Sequence, residues 1–468
     1  MAPAFSILGL ACTAPAAVGP LDVDSRPDTA AVVTPDSGTP TVSETPRTPL
    51  VFTGDPPRNL LVVSLDTFRR DQVGYFTGYD TTPNFDAIAR QSVMLEDHRS
   101  CSTWTAPSML CFLTGYLPSD QGWWPSQVYQ AGGPDPAMAW IPDDLATLAT
   151  ALDGQGYVTL LLTANGVISA DNSDGIVNGF QEVRRPLWLP APEGASRATT
   201  AAQDVLDDGR PFYLHLHFID PHAPYKAPVA YTTDELGTFP WALDDENVPY
   251  TLEAQWSTMT TAERDEARRY MLTLYRAEYR YWDEAFGQLW QDLDALGALE
   301  DTLVVFLSDH GEQFGEHGAF HHGVSLFEGE NRGVAFFWAK NLAPAVWSGP
   351  TDHRDLAPTV LDVLGFPADP LATGIVLGQA ANPRDSFLFN YIYGWGPARV
   401  AVVTGTKKLV YYWNGEKYYY DLARDPDEVT NLYAPSEPGV VAAWALLQPE
   451  LDRLTTLWPH LDAVNPGP

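Results

Sequence analysis

Asn59-Leu-Leu-Val-Val-Ser-Leu-Asp66 is the stretch that decides the fold. It is apolar on both faces, which suits a strand buried inside a parallel sheet rather than one with a wet side. It ends in a carboxylate, and in open α/β sheets ligands bind outside the carboxyl ends of the strands. Two other apolar runs repeat the pattern. Phe212–Phe218 is followed by Asp220 and His222, and Leu303–Ser308 leads directly into Asp309 and His310. Val158–Thr163 is a further strand of this kind. Helical patterns lie between the runs, from about Asn84 to Val93, Asp143 to Asp153, Ser196 to Asp207 (with Ser196 as N-cap) and Ala262 to Leu296. Strands alternating with helices predict an α/β fold with a doubly wound, mainly parallel sheet. After about Pro383 the texture changes. Val400–Val403, Lys408–Trp413 and Lys417–Asp421 read as short antiparallel strands with a turn at Asn414-Gly415, and a last helix covers about Val440 to Leu457. These give a smaller C-terminal α+β subdomain over 381–468, behind a main domain over 57–380.

The N-terminal part reads differently. Phe5 to Ala11 is a short apolar stretch ending at Cys12, similar to the tail of a bacterial lipoprotein signal. Residues 1–20 are therefore expected to be a leader. Residues 21–56, rich in Pro, Thr, Ser and Asp, are expected to be a disordered linker. Together they predict export to the cell envelope, with Cys12 as a membrane tether. The 468 residues carry 27 Lys plus Arg against 60 Asp plus Glu, a formal net charge of −33. That balance excludes nucleic acid and an anionic membrane surface as main partners, since both need a basic footprint. Three cysteines do not make a disulfide scaffold. No apolar run reaches the ~18 residues of a membrane span.

The chemistry collects at the strand ends. Asp66, Asp309 and His310 offer two carboxylates and an imidazole, which suit one hard or borderline divalent ion: Ca²⁺, Mn²⁺ or Mg²⁺. Thr105 precedes Pro107 at the start of a helix, where free N–H groups and the helix dipole stabilise an anion. Ordinary N-capping is the competing role for it. Four of the ten histidines, His310, His317, His321 and His322, crowd one glycine-punctuated loop that delivers imidazoles. His215 and His217 share a strand face, and one of them is expected to be a satisfied core histidine. Cys101 and Cys111 flank Thr105. A disulfide and two buried thiols are both compatible with them. The aromatics of Gly122–Pro125 and Tyr391–Trp395 suit either a cleft lining or the core.

In order along the chain, Val62–Arg69, Thr82–Asp86, Thr105–Gly115, Asp220–Tyr225, Ser308–Glu312, Leu356–Asp362, Lys408–Val410 and Tyr420–Leu422 resemble the sulfatase family of the alkaline phosphatase superfamily. The resemblance spans about Arg58 to Trp458. It implies Asp66, Asp309 and His310 as metal ligands and Thr105 as both ligand and nucleophile. It implies His222 on the transferring group and His322 near the leaving group. Family sulfatases carry Cys or Ser where Thr105 stands and convert it to formylglycine, which Thr cannot become. Their signature Arg is Met109 here, and their second aspartate beside Asp66 is Thr67. The Thr version resembles phosphoryl-handling relatives such as lipoteichoic acid synthases and phosphoethanolamine transferases. The expected function is thus a metal-dependent hydrolase or transferase of phosphate or phosphonate esters. The alternatives are a sulfate ester hydrolase working without formylglycine, and a non-catalytic surface binding protein. The expected partner is a small anionic ester, free or carried on a lipid or glycan.

Overall fold

A computed structural model describes residues 50–122, 142, 144–168, 175–232, 248–379, 385–391 and 396–461. The leader with Cys12, most of the linker, Trp123 to Pro125 and Ile392 to Trp395 lie outside the described residues. The last linker residues, 50–56, depart from expectation. Leu50 is buried and Phe52 bridges to Leu342, so this end is docked on the domain rather than free.

The strands are β1 (Asn59–Leu65), β2 (Val93–Arg99), β3 (Val158–Thr163), β4 (Glu182–Arg184), β5 (Phe212–Phe218), β6 (Thr302–Ser308), β7 (Gln313–Phe314), β8 (Phe320–His321), β9 (Ala335–Trp338), β10 (Ala345–Asp352), β11 (Ser386–Asn390), β12 (Arg399–Thr404), β13 (Lys407–Tyr412) and β14 (Lys417–Asp421). The helices are α1 (Gly74–Thr77), α2 (Pro83–Ala89), α3 (Thr105–Thr114), α4 (Leu148–Asp153), α5 (Ala191–Asp208), α6 (Val248–Gln255), α7 (Thr261–Ala295), α8 (Glu328–Asn331), α9 (Leu356–Val363) and α10 (Pro438–Leu457). The main sheet has the order β10-β2-β9-β6-β1-β5-β3-β4, and only β9 pairs antiparallel with its neighbours.

Strand β1 shows why its sequence is apolar throughout. Leu60 and Val62 enter the core under α3, α4, α9 and α10, while Leu61, Val63 and Leu65 enter the core under α2, α5 and α7. Alternate side chains of one buried strand thus serve two helical layers. The second sheet, β11-β12-β13-β14, is antiparallel throughout. It is fixed to the main domain by Lys408. That ammonium is fully buried and lies 2.9 Å from Glu328, 3.1 Å from Glu428 and 3.3 Å from Asn331.

Three local expectations are corrected. The helix expected over Asn84 to Val93 ends at Ala89, and Val93 opens β2, because Val93 to Leu95 fill the sheet between β9 and β10. The helix expected from Ser196 starts at Ala191, N-capped by Pro190 and with a proline in its first turn, where the missing N–H costs nothing. A fourth antiparallel strand, β11, precedes the three expected ones. The long helix α7 begins in a capping box between Thr260 and Glu263.

Candidate active site

The four adjacent strands β6, β1, β5 and β3 end flush, with Leu65 paired to Ser308 and Phe218, and Thr163 paired to His217. Their ends therefore bring Asp309 with His310, Asp66, His217 and Asn165 into one buried cluster. Asp309 Oδ1 accepts the backbone N–H groups of Thr67 at 3.1 Å and His310 at 2.6 Å. Gly311 must be glycine there, because a Cβ would meet the Gly329 carbonyl oxygen at 2.0 Å. Ligand atoms of Asp66, His217 and Asp309 lie within 4.8 Å of one another. His310 Nε2 is 3.6 Å from Asp66 Oδ1 and 3.5 Å from Asp309 Oδ2.

Three buried atoms of this cluster, Asp66 Oδ1, Asp309 Oδ2 and His217 Nε2, have no hydrogen-bond partner among the described residues. Buried polar atoms are normally satisfied, and three convergent orphans on two carboxylates and an imidazole fit a divalent cation. His310 Nδ1 donates to the Gly311 carbonyl at 2.9 Å, which leaves Nε2 with its lone pair facing the cluster. Electrostatics separate the two carboxylates. Burial opposes ionisation of Asp66, but the imidazoles of His222, His217 and His310 outweigh it and hold Asp66 well below the usual range. Burial and the Asp66 charge push Asp309 well above it. Burial, with His322 nearby, takes His310 down to about 3.

Thr105 is the first residue of α3, and the N-cap is Trp104. Its Oγ1 does not cap the helix. It lies 3.4 Å from His310 Nε2 and 3.3 Å from Asn165 Nδ2. Asn165 Nδ2 also donates to Asp66 Oδ2 at 2.5 Å, while its Oδ1 accepts the Val167 N–H at 2.6 Å. The asparagine therefore ties the hydroxyl to the carboxylate. Met109 is fully buried in the apolar core on α3, so that position supplies packing and no cation. Cys101 and Cys111 form a disulfide around this helix start.

His222 and His322 stand over the cluster with ring centroids 5.0 Å apart, and His322 is 4.5 Å from the His310 ring. His222 Nδ1 donates to the Ala223 carbonyl at 2.5 Å, and burial lowers its pKa. His322 Nδ1 donates to Glu312 Oε1 at 3.1 Å. Burial disfavours the imidazolium of His322, but the Glu312 carboxylate prevails and raises its pKa. All six residues expected at the site, Asp66, Thr105, His222, Asp309, His310 and His322, thus meet in one place. Of the loop histidines, His317 instead stacks on Phe327 and His321 pairs with Glu253 at 2.9 Å. His217, Asn165 and Glu312 are additions. His215 is the satisfied core histidine: its Nε2 is 2.9 Å from Ser64 Oγ and its Nδ1 is 3.2 Å from the Tyr213 hydroxyl. Ser64 Oγ also meets His217 Nδ1 at 2.7 Å, leaving His217 Nε2 to face Asp66 Oδ2 at 3.8 Å.

Comparison with known proteins agrees with this architecture. The family model described as Sulfatase matches residues 58–366. Choline-sulfatase of Rhizobium meliloti (strain 1021) is 26% identical over 416 residues, covering 75% of this chain and 77% of the relative. A protein solved in complex with its substrate D-glucosamine-2-N,6-O-disulfate superposes with a TM-score of 0.66 at 19% identity, covering 86% of this chain and 99% of the other. The phosphonate monoester hydrolase of Agrobacterium radiobacter superposes with a TM-score of 0.63 at 18% identity, covering 86% and 96%. At these identities the superpositions speak for the fold. The family match spans most of the chain, and the chain belongs to the sulfatase family.

Proposed function

We propose that this sulfatase-family chain cleaves or transfers phosphate or phosphonate esters, with Thr105 as the nucleophile. The observation that carries the reading is the Thr105 hydroxyl at the start of α3, turned from capping toward His310 and Asn165 beside two buried carboxylates. Asp66, Asp309, His310 and Thr105, with His217 alongside, would hold one divalent ion, Ca²⁺, Mn²⁺ or Mg²⁺. When bound, such an ion lowers the pKa of a hydroxyl and neutralises charge on an ester oxygen. The protein's own part follows from its geometry. Asn165 orients Thr105, whose oxygen, its proton lost to solvent, attacks phosphorus; the bond to the alcohol oxygen breaks and the group stays covalently on Thr105. The N-terminus of α3 favours the negative charge that gathers there. His322, oriented by Glu312, which favours its imidazolium, gives a proton to the departing alcohol. His222, kept toward its neutral form by burial, then takes a proton from the incoming water or acceptor alcohol as that oxygen bonds phosphorus and the bond to Thr105 breaks, and the proton returns through solvent to His322. Two imidazoles pushed in opposite directions suit these opposite roles.

A second reading, sulfate ester hydrolysis without formylglycine, is favoured by the names of the relatives, which include a choline-sulfatase. A structural neighbour's disulfated glucosamine also makes a glycan-linked ester a reasonable substrate class. The disulfide Cys101–Cys111 supports placement in an oxidising compartment such as the cell envelope. A turnover panel tests the reading, with aryl phosphate monoester, diester, phosphonate and sulfate, each with the three metals and with Thr105→Ala as control. Thr105-dependent cleavage of a phosphorus ester supports the first reading, and of sulfate the second. Turnover unchanged in Thr105→Ala refutes both.

A further inference from the structure

Trp188 is 58% exposed, more than any other large apolar side chain among the described residues, and its neighbour Leu187 is 49% exposed. Single exposed apolar residues need no explanation, but two adjacent ones at the lip of a reactive site do. The pair lies in the turn between β4 and α5. The backbone at Trp188 is left-handed, with φ +58°, a region that bulky side chains rarely adopt and that persists only where the surroundings enforce it.

The enforcing contact is visible. The Trp188 N–H donates to the Ala164 carbonyl at 3.0 Å. Ala164 directly precedes Asn165, so the turn is stitched to the loop that delivers Asn165 to Thr105. Leu187 Cδ2 would stand 3.8 Å from a Cβ placed on Gly166, just past Asn165. The indole meets the His222 ring edge to face, with centroids 5.6 Å apart at 68°. One strained turn therefore touches both the Asn165 loop and the His222 ring. It presents an apolar surface outward instead of burying it.

We propose that the Leu187–Trp188 turn is the platform for the organic half of the substrate. It takes a flat ring, stacked on the indole face, while the ester group reaches His222 and Thr105. The fitting ligand is the alcohol side of the ester as an aryl ring or the C–H face of a sugar. Both present the same flat apolar surface to the indole. A short alkyl group spans too little of it to gain from stacking. This assignment rests on the reading of the cluster as an ester-transfer centre.

The test uses the intact chain with Trp188→Ala and Trp188→Phe, and phenyl, glucose-6 and methyl esters of phosphate and of sulfate. It reads kcat/KM and, by calorimetry, binding of the same esters to Thr105→Ala with and without each Trp188 substitution. Trp188→Ala is expected to lower kcat/KM and affinity for the ring-bearing esters about two- to tenfold and to leave the methyl esters unchanged. Trp188→Phe is expected to restore most of the phenyl-ester loss. The larger loss among the phenyl and glucose arms identifies the ring. Equal losses on methyl and ring esters would mean that Trp188 acts only by supporting His222, and would overturn the platform. So would the absence of ring-selective binding. Failure of the nucleophile reading looks different: turnover that ignores Thr105→Ala, with ring-selective binding intact.

Discussion

Asp309→Asn, compared with the native chain in the presence and absence of divalent metal, isolates what the buried cluster is for. Without metal, Asp309 sits among Asp66 and His310, where burial and the Asp66 charge push its pKa well up and favour its protonated form. Asparagine is the isostere of that protonated acid. Its Oδ1 can still accept the Thr67 and His310 N–H groups that Asp309 accepts now. The metal-free variant should therefore melt within about 1 °C of the metal-free native protein. The metal-bound states should differ. A free ion about 100-fold above its Kd stabilises the native state by about 2.7 kcal/mol. Unfolding entropy of about 2.1 cal/mol/K per residue over roughly 400 residues is about 0.85 kcal/mol/K, so the native Tm should rise by about 3 °C. Asparagine has no charge to give, and the rise should vanish. The sign with pH follows from the raised pKa. Metal must displace the Asp309 proton, so its effect should grow as pH rises toward the raised Asp309 pKa, by at most about 1.4 kcal/mol per pH unit. Differential scanning fluorimetry with Mn²⁺, Mg²⁺ or Ca²⁺, and with chelator, reads all three. A full metal-induced rise in Asp309→Asn, or a native rise independent of pH, would refute the assignment of the orphaned atoms to a cation.

Three other substitutions probe neighbouring claims. Asn165→Ala frees Asp66 and Thr105 from their shared amide and should cut kcat about 10- to 100-fold with an unchanged melting curve; undiminished kcat would remove Asn165 from the machinery. Glu278 accepts the N–H groups of Lys226 and Ala227, and burial, with Asp220 nearby, pushes its pKa up to about 8. A raised carboxyl contributes most below its unfolded pKa and loses that contribution as pH rises, here between about 4.5 and 8 at up to about 1.4 kcal/mol per pH unit. Urea melts across that window should thus fall more steeply for the native chain than for Glu278→Gln, and parallel curves would contradict it. Lys408→Met strands Glu428 and should cost about 3–5 kcal/mol, or about 4–6 °C in Tm. Adding Glu428→Gln should recover part of the loss, and no recovery would show that Lys408 acts through packing alone.

What the sequence disclosed about the site followed from one rule, and its omissions followed from applying that rule too narrowly. A buried parallel strand must be apolar along its length, so the first polar residue past its end is conspicuous; Asp66, Asp309 and His310 stand out for that reason. Asn165 obeys the same rule two residues beyond Thr163, but an amide looks like ordinary loop chemistry until its distance to Asp66 is known. His217 is harder to find. It lies inside β5, and only the register that sets Ser64 opposite it shows which of two same-face imidazoles is held by Tyr213 and which is left facing Asp66. Register across strands is a tertiary fact, and neither apolar periodicity nor spacing encodes it. The missed strand β2 has the same origin. Val93 to Arg99 mixes three apolar with four polar residues and shows no clean alternation, and it is a strand because β9 and β10 supply its partners. The distinction matters for function. The residues legible from sequence are those that bear charge toward the reacting group, whereas Asn165, Ser64 and Glu312, which fix the orientation of that charge, become legible only through contacts between elements far apart in the chain. Substitutions in this second set should therefore reduce turnover while leaving fold and metal response in place, which separates orientation from ligation by measurement.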